Sequence, residues 1–236
     1  MPTGQFLSMT INDQSFEQLQ RQVKLILEAE TDDFFELAKL AGLNPLTDFA
    51  MANLSGLNLQ SVQLSRANLL GVNLAYSNLI HADLSDASLI NANLTAANLL
   101  NATLNSAVLI NATLIGASLE SANLLEANLT SANLLNATLS YADLRRGNLT
   151  GARLDGAGLQ TANLSYVDFR RCRMVGVDLS GANLYGAKLD HADLRQANLD
   201  GANLAGASVD GAVMLGVVGL PRELAHDLRM RGAVID

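Results

Sequence analysis

The chain has 236 residues, a net charge of −8, a sequence pI of about 4.8 and one cysteine, Cys172. An acidic balance argues against a general nucleic-acid binder, and a single cysteine excludes an intrachain disulfide and a thiolate metal cluster. The opening "MPTGQFLSMT" lacks a basic region before an apolar core, and no apolar run reaches the roughly 18 residues that cross a bilayer, so a cytoplasmic protein without membrane contact is expected.

Residues 1–48 form an N-terminal helical segment, with eight acidic and three basic side chains. In "SFEQLQRQVKLILEAE", Phe16, Leu19, Val23, Ile26 and Leu27 share one helical stripe, and Ser15 and Gln18 have capping-box spacing. "TDDFFELAKLAGLNP" predicts a second, short helix with Thr31 as N-cap and Gly42 as its stop.

Residues 49–216 are built on a period of five. Counting from Leu54, a centre recurs at 33 positions to Met214, and leucine fills 29 of them; Phe169, Met174, Val209 and Met214 are the exceptions. Alanine stands two before the centre at 25 of the 33. A helix at 100° per residue would scatter such leucines around its surface, whereas an extended step points the centre and the alanine the same way. The next residues then turn a corner. Twelve of the 18 glycines lie two after the centre, where they supply the positive φ of a tight turn, and asparagine stands in at 91, 101, 111 and 136.

"ANLLEANLTSANL" and "YADLRRGNLTGARL" resemble the A(D/N)LXX units of the pentapeptide repeat protein family. The resemblance implies an all-β solenoid, a right-handed quadrilateral β-helix of four pentapeptides per coil. At ~4.8 Å per coil, about eight coils make a rod of about 40 Å. Leu94, Leu99, Leu104, Leu109, Leu114, Phe169 and Met174 belong to its core, and the other three positions face outward. Residues twenty apart then stack, so Val167 lies over Gly147, a larger side chain over none, and Val177 lies over Ala157. Cys172 takes an alanine position and is expected to be buried and inert.

Residues 217–236 form a C-terminal capping helix and tail. In "GLPRELAHDLRMRG", Pro221 opens the helix, Leu224 and Leu228 make its apolar side, and Gly232 ends it. Caps at both ends suit a solenoid, whose end coils are otherwise bare.

No phosphate loop, nucleophile elbow or zinc spacing is present, and His81, His191 and His226 lie too far apart for one metal site. No catalysis, cofactor or metal is expected. The carboxylates Asp190 and Asp210, stacked with Arg170 in one column, lack the cleft of a polysaccharide-cleaving site and are read as a surface salt ladder. Two outward features point to an unidentified protein partner or a second copy of the chain. Arg145 and Arg146 share a wall with Tyr166 and Tyr185, with Arg170 and Arg171 at the next corner, and arginine and tyrosine dominate binding hot spots. Leu70, Ile90 and Ile110 form an apolar column joined by Val108, a surface that a partner or the N-terminal helices would cover. The reading is a non-enzymatic protein-interaction scaffold. The alternative implied by the resemblance is a DNA-mimicking protector of a type II topoisomerase that gives quinolone tolerance. With twelve acidic and nine basic side chains, residues 49–216 carry little of the negative charge a mimic needs.

Overall fold

The computed structural model describes Arg21, Lys24 and residues 34–236, in two compact units, Met1–Pro45 and Leu46–Asp236. In the first unit Arg21 and Lys24 are helical, and helix α1 spans Phe34–Leu40. Gly42, at φ 73°, closes α1 in a Schellman motif: Gly42 N–H donates to Lys39 O and Leu43 N–H to Ala38 O, both at 2.9 Å. The proposed stripe from Phe16 to Leu27, the Ser15–Gln18 pair and Thr31 lie outside the described residues.

The second unit is a β-helix. Asn53 pairs in parallel with Asn73, Asn73 with Asn93, and so on around the chain to Asn198 with Val218; every such bridge joins residues twenty apart. Four bridges per twenty residues give four walls per coil. The ladder starts just before the expected repeat, with Asn68 N–H donating to Leu46 O.

One pentapeptide accounts for all of its backbone donors. Asn93 N–H reaches back a coil to Val72 O (2.9 Å), while Leu94 N–H and Ala96 N–H reach forward to Thr113 O (2.7 Å) and Ile115 O (2.9 Å). Ala92 N–H closes the corner onto Leu89 O at 3.0 Å. The fifth donor, Thr95 N–H, has no backbone partner in the coils and takes Asn93 Oδ1 at 3.1 Å. This explains the recurrent asparagine or aspartate before each centre: only a short side-chain acceptor satisfies the donor two residues on. The same asparagine also links coils, since Asn93 Nδ2 donates to Asn73 Oδ1 at 3.1 Å.

Each corner is a type II turn, with positive φ two residues after the centre. All 33 such positions are left-handed, and 21 are not glycine, among them Tyr166, Arg171 and His191. Sequence logic reserved this conformation for glycine and asparagine. The ladders on either side hold every corner, at a cost of about 1 kcal/mol or more per non-glycine residue. Several corner glycines serve a second purpose, as floor for the side chain of the coil before. A Cβ on Gly186 would sit 2.7 Å from the Tyr166 ring, and one on Gly211 would sit 2.5 Å from His191 Nδ1.

The expected core is in place: Leu94, Leu99, Leu104, Leu109, Leu114, Phe169 and Met174 are fully buried. Val167 and Val177 are buried too, so the change in side-chain size there is repacking within a continuous stack. The inward rule loosens only at the ends, where Leu57 is exposed and Ala52 and Ala202 are half-buried. Cys172 is buried, its Sγ donating to Leu149 O at 2.8 Å, and burial pushes its thiol up to about 12.

The C-terminal end is finished by strand β1 (Val213–Met214), helix α2 (Arg222–Met230) and strand β2 (Val234–Ile235). β2 pairs in parallel with β1, Val213 opposite Val234, so the tail continues the coil direction after the helix. Pro221 occupies the N-cap of α2, Leu228 is fully buried, Leu224 is half-buried and Gly232 has φ 98°. The loop before α2 presses onto the last coil at Gly219 (φ 77°), where an added Cβ would collide with the backbone of Asp200.

Candidate interaction surface

The arginines predicted as a patch divide into three kinds. Arg145 and Arg170 lie two residues after an aspartate, as does Arg195, and each closes on that aspartate. Arg145 Nε and Nη2 donate to Asp143 Oδ1 and Oδ2 at 2.9 and 2.6 Å. Arg170 does the same to Asp168 at 2.8 and 2.7 Å, and Arg195 to Asp193 at 2.8 and 2.6 Å. The aspartate replaces the usual asparagine, so Oδ1 also accepts the arginine's own backbone N–H. The bidentate Arg145 contact holds the Asp143 carboxyl below its ordinary value, and Arg195 does so for Asp193. For Asp168, burial opposes the shift but the Arg170 contacts outweigh it.

Arg146, whose corner lies one coil before that of Tyr166, faces Glu126 of the preceding coil at 3.6 Å. Asp190, expected in a column with Arg170, acts on that arginine only at a distance, while the close ion pair goes to Asp168. Asp190 Oδ2 accepts Ser208 Oγ at 2.6 Å and Oδ1 accepts Asp210 N–H at 3.2 Å. Arg171 is the third kind: it has no ion-pair partner among the described residues.

Tyr166 and Tyr185 do come together. Their rings meet edge to face, centroids 5.4 Å apart and planes at 89°. Tyr166 lies against Gly186 and Tyr185 runs toward Gly206, yet the two remain 54% and 45% exposed. The rings are therefore packed on each other and on the neighbouring glycines, with about half of each still exposed.

The apolar column is less open than its sequence suggests. Leu70 is 39% exposed, whereas Ile90, Ile110 and Val108 are half-buried. Branched side chains stacked at one corner cover one another, while Leu70 follows the smaller Ala50.

Among the described residues no group of three or more His, Cys, Asp or Glu is placed to hold a metal, and no helix is long and apolar enough to cross a membrane. A cavity of about 390 Å³ lies beside α2, between Met214, Leu220, Ala225 and Ile235 and bordered by Arg222 and Arg229. Sequence reasoning missed the aspartate–arginine clamps, although their signal is plain in "DLR", "DFR" and "DLR" at 143–145, 168–170 and 193–195. It also missed His191, whose corner adjoins Arg171.

The pentapeptide repeats family, in eight copies, matches residues 52–89, 87–124, 114–151, 142–181 and 178–216. Three solved structures illustrate the likeness. HetL, a pentapeptide repeat protein involved in heterocyst differentiation regulation from the cyanobacterium Nostoc sp. strain PCC 7120, is 33% identical over 75% of this chain and 92% of its own, with a TM-score of 0.40. A trypsin-treated form of QnrB1, a plasmid-mediated fluoroquinolone resistance protein, is 18% identical over 74% of this chain and 86% of its own, with a TM-score of 0.66. A pentapeptide repeat protein from the Arabidopsis thaliana thylakoid lumen is 25% identical over 58% of this chain and 68% of its own, with a TM-score of 0.22. No curated protein matches the chain. With repeats matched from residue 52 to 216 and coils of twenty residues throughout, the chain belongs to the pentapeptide repeat family.

Proposed function

We propose that the β-helix is a non-enzymatic scaffold that binds a protein partner on the wall edged by Tyr166 and Tyr185. The observation that carries this reading is the tyrosine pair, two large exposed rings held edge to face on rigid corners. Tyrosine offers a large apolar face with a polar tip and few rotatable bonds, which is what makes it effective in interfaces. Affinity capture from the native cell with wild type and the Tyr166→Ala/Tyr185→Ala double variant tests it. A partner held by wild type and lost by the variant, at equal thermal stability, supports the site; full retention of every partner removes it.

The topoisomerase-protecting alternative is less favoured by the surface charge. Asp143, Asp168 and Asp193, on three different walls, are each clamped by an arginine, which removes one negative charge from each of those walls. A gyrase supercoiling assay with a quinolone separates the two readings: protection at micromolar protein would favour the mimic over the present proposal.

A further inference from the structure

The wall that carries Tyr166 at one corner ends at the next corner in Arg170 and Arg171. There a groove of about 440 Å³ is lined by Thr150, Arg170, Arg171, Asp190 and His191. We propose that this groove takes the phosphoryl group of a phosphorylated serine or threonine side chain on the protein partner; the proposal rests on the scaffold reading above.

The groove exists because the corner one coil before Arg171 is Gly151, where an added Cβ would meet only Ser131 Oγ at 3.7 Å. Its charges are unequally engaged. Asp168 is occupied by Arg170 at 2.7 Å, with Lys188 a further 3.8 Å contact. Asp190 already accepts from Ser208 Oγ and the Asp210 backbone. The Asp210 carboxylate is turned to the C-terminal cap, where a Cβ on Gly232 would lie 2.7 Å from its Oδ1. Asp168 and Asp210 thus have their own cation or packing, Asp190 is held by neutral donors, and Arg171 makes no ion pair among the described residues.

His191 lies against Gly211 and borders the same space, so an imidazole N–H donor stands beside the guanidinium. A guanidinium fork beside an imidazole fits a phosphate monoester, which offers several strong acceptor oxygens and up to two charges. A carboxylate would use the fork alone. The volume exceeds that of a phosphoryl group and leaves room for the side chain carrying it. The tyrosine pair at the wall's other edge would meet the rest of the partner, the arrangement in which arginine clusters read phosphorylated motifs.

The test is a titration of full-length, isotope-labelled protein with a capped Ala–phosphoserine–Ala peptide, read at the Arg171 Nε and His191 ring resonances. Saturable shifts at both are expected, with inorganic phosphate binding at least about tenfold more weakly and the unphosphorylated peptide giving none. Arg171→Gln should weaken the peptide at least about tenfold without moving the thermal midpoint, since its side chain makes no ion pair to lose. No saturable shift, equal binding of inorganic phosphate, or an unchanged affinity in Arg171→Gln would each overturn the proposal. The Tyr166→Ala/Tyr185→Ala variant should still bind the tripeptide. If it also retains every cellular partner, the tyrosine reading falls while the phosphate groove stands on its own titration.

Discussion

Asn93 and Leu94 show how neighbouring residues carry different parts of the stability. Leu94 is fully buried, so Leu94→Ala removes packing on all sides and should cost about 2–5 kcal/mol. Asn93 faces outward but accepts Thr95 N–H and donates to Asn73, so Asn93→Ala should cost about 0.5–1.5 kcal/mol per lost bond while Asn93→Asp retains the acceptor. Chemical denaturation of the three variants checks the order Leu94→Ala, then Asn93→Ala, then Asn93→Asp. The leucine role was legible in the sequence because a period of five admits few inward patterns. The asparagine role was not, because it emerges only when every backbone donor of a coil is accounted for.

The arginine clamps add a pH-dependent contribution at the same scale. Asp143 has its folded value lowered, chiefly by the Arg145 side chain, from an ordinary 3.8. A carboxylate shifted downward on folding adds stability above its unfolded value and loses it as pH falls through the folded one. Arg145→Gln should therefore lower stability at neutral pH and flatten its decline in acid below about pH 4, measured by thermal midpoint against pH. Stacking at twenty residues suggested that Arg170 would join Asp190. The aspartate two residues away won because the Asx turn already aims its carboxylate at the arginine, and a local contact orders less chain.

At the scale of elements, the C-terminal cap depends on backbone proximity that composition does not reveal. Pro221, Leu228 and Gly232 marked α2 correctly because capping and amphipathic spacing are local signals. Gly219 carried no such signal, yet its missing Cβ lets the loop lie on Asp200, and its φ of 77° is left-handed. Gly219→Ala should lift the loop and release α2 and β2 before the rest of the rod opens. Hydrogen exchange should then show faster exchange across 217–236 and unchanged protection near Leu109; uniform acceleration would mean the cap and the rod open as one unit.

Over the whole molecule, repetition fixes the fold and the departures from repetition mark the candidate site. Coils of near-identical leucine and alanine content are interchangeable as scaffold, so the proposed binding is sought in the outward positions that differ. The tyrosine pair and the Arg171 groove both lie in the second half, where aromatic and charged residues replace the aliphatic corners of the first. Stacking at twenty residues set Tyr166 and Tyr185 on one wall with Arg170 and Arg171 at the next corner, but it could not tell paired arginines from the unpaired one, since that depends on side-chain partners within each turn. The most direct measurement places a photocrosslinking phenylalanine analogue at Tyr166, Tyr185 or Tyr76 in the native cell. Tyr76 is a control at 71% exposure in the first half of the rod. Crosslinking of one discrete polypeptide from 166 and 185 but not from 76 is the predicted result; the same products from all three positions, or none from 166 and 185, would contradict a binding wall built on the tyrosine pair.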